Sequence, residues 1–347
     1  MFWRSVTILI CNRDSDLHSQ QSSNPMVNAL RRQMRWMCFG SEGNPLQQYH
    51  PFRPFIHLYN SWRMDKYIAP EIDARFQFYK SQDSVKRSKS VIDLALKAYL
   101  KQNANPESVE GIDKTFKETA LNQMKLFLFS GHDTTSSTVC YILYLLSMYP
   151  ETLHRVRTEH DQVFGSNPAD AAARISEDPY LLNKLFFTVA VIKEGMRLFP
   201  AASTTRAGEP GFTITDANGR QYPTEGCLIW LISHAVQHDP LFWPQPDEFV
   251  PERWLTDPED PLHPVKGAWR PFEHGPRACI GVELSMIELK IVIALVVRSF
   301  NIEAAYGELD AQSANRKTKT VDGERAYQVG MGQPVRNLPC RVSKAGH

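Results

Sequence analysis

Apolar residues recur at three- and four-residue spacing over 26–36, 56–78 and 89–101, the signature of helices with one buried face. Asn24-Pro25, Gly43-Asn44-Pro45 and the prolines at 51 and 54 break this helical region, which runs to about residue 110. A much longer helical pattern follows over 112–150, closed by Pro150. At 1.5 Å per residue such a helix reaches roughly 50 Å, enough to cross a domain. A charged amphipathic helix opens directly after Pro150, 165–170 reads as loop, and 181–199 is again helical up to Pro200. The texture then changes. Strand-like runs at 211–215 and 227–233 are separated by Asn218-Gly219 and Glu225-Gly226 turns, within an irregular region spanning 200–276. A last apolar helix over 282–300 and a strand-like piece at 326–329 complete a mainly α chain with a minor β portion, of the α+β class.

Composition narrows the function more than the fold. The net charge of +1 on 347 residues argues against partners held by bulk charge, so neither nucleic acid nor an anionic membrane surface is expected. Prolines outnumber glycines, 23 to 18, and 12 of the 23 lie in 200–276, so that region is conformationally fixed loop. The six cysteines are too sparse for a disulfide scaffold and contain no Cys-x-x-Cys pair, which favours a reduced, intracellular compartment. The run Val6 to Cys11 is short for a signal peptide, and the uncharged run 134–150 is short and polar for a bilayer span.

Chemistry concentrates in Pro271-Phe272-Glu273-His274-Gly275-Pro276-Arg277-Ala278-Cys279-Ile280-Gly281. This Gly/Pro-punctuated loop presents a cysteine at a helix entrance, where the helix dipole and Arg277 favour a thiolate. A small buried thiol at a helix start explains Cys279 taken alone equally well. The spacing changes that balance. Phe-x-x-Gly-x-Arg-x-Cys-x-Gly resembles the cysteine-ligand loop of the cytochrome P-450 family at all five defining positions. Five fixed positions at about one in twenty each give roughly one chance match in ten thousand chains of this length.

Other motifs follow in the order the family has them. Glu194-Gly195-Met196-Arg197 resembles its Glu-x-x-Arg helix, and Pro251-Glu252-Arg253-Trp254 its Pro-Glu-Arg turn, with Gln237-His238-Asp239-Pro240, Trp243, Pro246 and Phe249 between. Glu194, Arg197 and Arg253 then have a structural role, a carboxylate–guanidinium network behind the haem. Without its companions Glu-x-x-Arg reads as a solvated surface pair. Ser130-Gly131-His132-Asp133-Thr134-Thr135 resembles the oxygen-activation motif. A glycine, an acid and a hydroxyl in mid-helix can open the backbone ladder and hold water beside a ligand, and the resemblance implies that Asp133 and Thr134 relay protons there. His132 is not expected to bind iron.

The resemblance implies a single cytochrome P-450 domain over 1–347, similar to filamentous-fungal members, lacking the fold's N-terminal third with its membrane helix, first strands and a Trp-x-x-x-Arg haem contact. Trp62 and Lys66 have that last spacing in the wrong place and are discounted. It implies haem b (iron protoporphyrin IX) bound through Cys279 as axial ligand, with Arg277, Phe272, Gly281 and Arg206 around the cofactor. Ser130, Ala202, Ser203 and Thr204 would line the substrate pocket. The expected activity is a monooxygenase of fungal secondary metabolism, taking NADPH electrons through a separate reductase to oxidise an apolar small molecule, as a monomer. Full-length members associate with the endoplasmic reticulum. The alternatives are a haem-thiolate isomerase, dehydratase or peroxygenase, and a non-catalytic fragment.

Overall fold

The computed structural model describes residues 25–36, 50–80, 91–102, 111–308, 320–321, 324–325, 332, 334 and 338–345. The expected strand at 326–329 lies outside them. The chain divides into two compact units, Met1–Ser130 and Gly131–His347.

The first unit contains α1 (Pro25–Trp36), α2 (Arg53–Lys80), α3 (Val91–Gln102) and the start of α4 (Lys114–Met148). The period-four set Met64, Ile68, Ile72 and Phe76 of α2 forms the spine of its core, against Met26, Ala29 and Leu30 of α1, Ile92 and Leu96 of α3, and Leu128 of α4. Each such fully buried side chain contributes about 1.5–3 kcal/mol before entropy is charged against it. Pro70 sits inside α2 without ending it, on the exposed side of the helix. Trp62 and Lys66 are an i, i+4 pair on α2 with the ammonium 5.4 Å from the ring, a cation–π contact on the helix surface.

In the second unit α4 continues to Met148, and Pro150 opens α5 (Pro150–Phe164). After α6 (Ala171–Glu177), Pro179 imposes a 3₁₀ turn over Pro179–Lys184, where the Asp178 carboxylate accepts the Tyr180 N–H. α7 (Phe186–Leu198) therefore starts five residues later than the apolar spacing predicts. Its N-terminus lacks a cap of its own. Glu159 of α5 supplies one, accepting from the Phe187 N–H at 2.6 Å, the Thr188 N–H at 2.9 Å and the Thr188 hydroxyl at 2.6 Å. β1 (Thr204–Ala207), β2 (Thr213–Thr215), β3 (Gln221–Pro223) and β4 (Leu228–Leu231) form two antiparallel pairs, β1 with β4 and β2 with β3. α8 (Ser233–Gln237), a 3₁₀ turn over Pro251–Leu255, and α9 (Val282–Val296) follow. α9 stops short of residue 300, because Phe300 begins β5 (Phe300–Ala304). β6 (Thr320–Val321) pairs with β7 (Glu324–Arg325), and β5 with β8 (Cys340–Lys344).

The core of this unit is built where α4 (Tyr141, Ile142, Leu145, Leu146), α7 (Phe187, Val191, Ile192, Met196) and α9 (Leu289, Ile293) meet. Gly195 makes the α4–α7 approach: a Cβ there would lie 3.0 Å from Ile142 Cγ1. Among the described residues, no helix is long and apolar enough to cross a membrane.

Candidate functional site

The Glu194 carboxylate accepts five hydrogen bonds. Oε1 accepts from Arg197 Nη2 at 2.9 Å, Arg253 Nε at 3.0 Å and the Val250 N–H at 3.1 Å. Oε2 accepts from Arg197 Nε at 3.1 Å and Trp254 Nε1 at 2.9 Å. The side chains of Glu194, Arg197 and Arg253 are all 0% exposed, so this is a buried network and not a solvated surface pair. Two guanidiniums to one carboxylate leave an excess positive charge, which backbone carbonyls and an aromatic face absorb. Arg197 donates to the Gln237, Pro246 and Glu248 carbonyls, and Arg253 to those of Pro244 and Gln245. Trp243, itself fully buried, lies 5.2 Å from the Arg197 guanidinium carbon and 5.7 Å from that of Arg253. The prolines of this stretch fix a loop whose carbonyls, unclaimed by any helix or sheet, converge on the two guanidiniums. Burial pulls the Arg253 pKa down, and the Glu194 charge opposes that shift.

The cysteine loop stands on this base. Trp269 Nε1 donates to the Lys193 carbonyl at 3.1 Å, and Phe272 packs edge-on to Trp269 against the core. The Cys279 N–H returns to the Phe272 carbonyl at 2.8 Å, closing the loop, and the Ala278 N–H bonds Gly275 O at 3.0 Å. Two residues in the turn have positive φ, Gly275 at 76° and Glu273 at 57°. The second is uncommon for a non-glycine. Its side chain is held by Arg270 at 2.7 Å, and that hydrogen bond, with smaller help from Arg206 and His274, keeps the Glu273 carboxyl below its ordinary pKa. Arg206 is half-buried, and its Nη1 donates to Thr204 Oγ1 at 2.6 Å and to the Thr205 carbonyl at 2.9 Å.

Cys279, Arg277 and Ile280 are exposed, Ile280 at 89%. A Cβ on Gly281 would sit 3.8 Å from Cys279 Sγ, so glycine keeps that flank of the sulfur clear. Among the described residues, no group of three or more His, Cys, Asp or Glu side chains could hold a metal ion. A single thiol beside exposed apolar surface, with Arg206 and Arg277 available to carboxylates, fits haem.

The residues of the 130–135 motif lie within α4, which runs as one helix from Lys114 to Met148. Two hydroxyls bond its carbonyls. Ser136 Oγ donates to Asp133 O at 3.1 Å and Thr138 Oγ1 to Thr134 O at 2.9 Å, which a continuous helix accommodates. Asp133 is buried, Thr134 and His132 are half-buried, and a Cβ on Gly131 would meet no atom within 4 Å. Ser130 belongs to the first unit and Ala202, Ser203 and Thr204 to the second, where Ser203 is exposed and the Thr204 hydroxyl is engaged by Arg206.

Sequence reasoning assigned no role to Gln237, Trp243 or Trp254, although all three stand in or beside recognised motifs. It passed over Glu288 of α9 altogether. Burial raises the Glu288 carboxyl to about 7. A folded-state pKa above the unfolded one means that stability falls as pH rises from the ordinary carboxylate range through about 7. Glu288→Gln is expected to raise Tm more at pH 8 than at pH 5, by roughly 2–4 °C for each kcal/mol relieved. Equal shifts at the two pH values would show that the carboxyl titrates normally.

A family model described as Cytochrome P450 matches residues 7–329. Cytochrome P450 monooxygenase polC of Polytolypa hystricis is 44% identical over 333 residues, covering 95% of this chain and 59% of the relative. Cytochrome P450 monooxygenase acrF of Aspergillus aculeatus is 36% identical, over 80% of this chain and 60% of its own. The crystal structure of the cytochrome P450 CYP102L1 superposes with a TM-score of 0.67 at 22% identity, covering 95% of this chain and 66% of that one. The chain thus spans about three fifths of the length of these curated relatives.

Proposed function

This chain belongs to the cytochrome P450 family, and on that premise we propose that it is a haem-thiolate monooxygenase. It oxidises an apolar small molecule with dioxygen and NADPH electrons delivered by a separate reductase, within a fungal secondary-metabolite pathway. The observation that carries this reading is the exposed Cys279 thiol on a closed loop, standing on the buried Glu194–Arg197–Arg253 network. Haem held by the Cys279 thiolate would supply O–O bond cleavage, a chemistry favoured by electron donation from sulfur.

The chain's own residues bind, orient and move protons. Cys279 gives the thiolate, and Gly281 leaves its flank open. Arg206, pre-set by Thr204 and Thr205, and Arg277 hold the two carboxylates of the cofactor. Phe272 anchors the loop to the core. Asp133 and Thr134, on adjacent positions of α4, would hold and pass on protons at the Asp133 carboxyl and the Thr134 hydroxyl.

Thr134→Ala separates a dioxygen mechanism from isomerase or peroxygenase chemistry. With reductase and NADPH, the variant is expected to keep consuming NADPH while product per NADPH falls about tenfold or more. An unchanged ratio would count against dioxygen activation.

A further inference from the structure

The structure assigns Gln237 as the positioning residue that sets the base of the Cys279 loop, an inference that rests on the reading of Cys279 as an axial ligand. Gln237 closes α8 and is 0% exposed. Its Nε2 donates to the Met196 carbonyl at 3.0 Å and to the Arg197 carbonyl at 2.9 Å. These belong to the last turn of α7, where carbonyls have no partner inside the helix. Its Oε1 accepts the Arg270 N–H at 2.8 Å. A primary amide has two donors and one acceptor oxygen, so every polar atom of the side chain is engaged. The orientation of the amide is also determined, since two carbonyls require the nitrogen on one side and an N–H requires the oxygen on the other.

The consequence is directional. Arg270 immediately precedes Pro271-Phe272, and the Phe272 carbonyl accepts the Cys279 N–H. Three hydrogen-bonded steps, Gln237 to Arg270, Gln237 to the Met196 and Arg197 carbonyls, and Phe272 to Cys279, therefore join the helix that carries Glu194 and Arg197 to the cysteine. The Arg270 side chain cannot replace the first step, because it is turned to Glu273. The Gln237 carbonyl also receives Arg197 Nη1 at 2.8 Å, so one residue touches both the buried charge network and the loop. A metal ligand needs its geometry held to about 0.5 Å by supporting hydrogen bonds, and Gln237 is placed to supply them.

Gln237→Leu removes all three side-chain bonds. Gln237→His retains one donor and one acceptor in a neutral imidazole, enough to keep Arg270 and one carbonyl. The readouts are haem content per chain, far-ultraviolet circular dichroism, and the carbon-monoxide difference spectrum of the reduced protein loaded with haem. Gln237→Leu is expected to keep its helical signal and haem while the fraction absorbing near 450 nm drops about fivefold in favour of shorter wavelengths, and Gln237→His to keep more than half of the wild-type fraction. A wild-type fraction in Gln237→Leu overturns the inference. So does a parallel loss of haem and helix in both variants, which makes Gln237 a general folding residue. A wild-type chain without the band sinks the monooxygenase reading first, and this inference with it.

Discussion

Glu194→Ala is expected to leave the second unit without a stable folded state. Removing this carboxylate strands two fully buried guanidiniums next to each other and orphans the Val250 N–H and Trp254 Nε1–H. Breaking one buried pair by deleting a partner costs about 3–5 kcal/mol, and here two pairs go at once. A whole domain is stable by only about 5–15 kcal/mol. The aromatic face of Trp243 and five backbone carbonyls moderate the exposed charge but carry no negative charge of their own. Soluble yield and thermal unfolding followed by circular dichroism measure the effect. Glu194→Gln, which keeps an acceptor oxygen, should fall between wild type and alanine. A Tm for Glu194→Ala within about 2 °C of wild type would mean that the network does not support the fold.

Cys279→Ala is expected to separate function from folding in the opposite sense. Cys279 is exposed, so its loss should shift stability by no more than about 0.5 kcal/mol. The thiolate signature of the haem-loaded chain should vanish, and NADPH-driven product should fall to background, about a thousandfold or more. Alanine at Cys140, Cys227 or Cys340 should leave the spectrum as it is. A Cys279→Ala chain that retained the wild-type spectrum would place the ligand elsewhere.

Both variants alter residues legible in the sequence, but other parts of the molecule differ in how far they can be read from it. The helices of the first unit follow from apolar spacing, and α2 keeps its buried face through an exposed Pro70. The cysteine loop and the three charged residues of the network sit in motifs of fixed spacing, so their identities could be read without coordinates. The strands at Thr204–Ala207 and Gln221–Pro223 could not. Three or four residues long and exposed at alternate positions or throughout, they owe their conformation to partners 6 to 27 residues away. In α4 the bonds of Ser136 and Thr138 to the Asp133 and Thr134 carbonyls were not legible in the motif. Gln237 and Trp243 match the family pattern, yet a role for either needs groups about 40 residues away that only the fold brings near.

The reduced, carbon-monoxide difference spectrum of this chain purified with haem tests the central claim most directly. Coordination by the Cys279 thiolate predicts one bound haem and a Soret band near about 450 nm. Failure to take up haem, or a band at shorter wavelength alone, would contradict it.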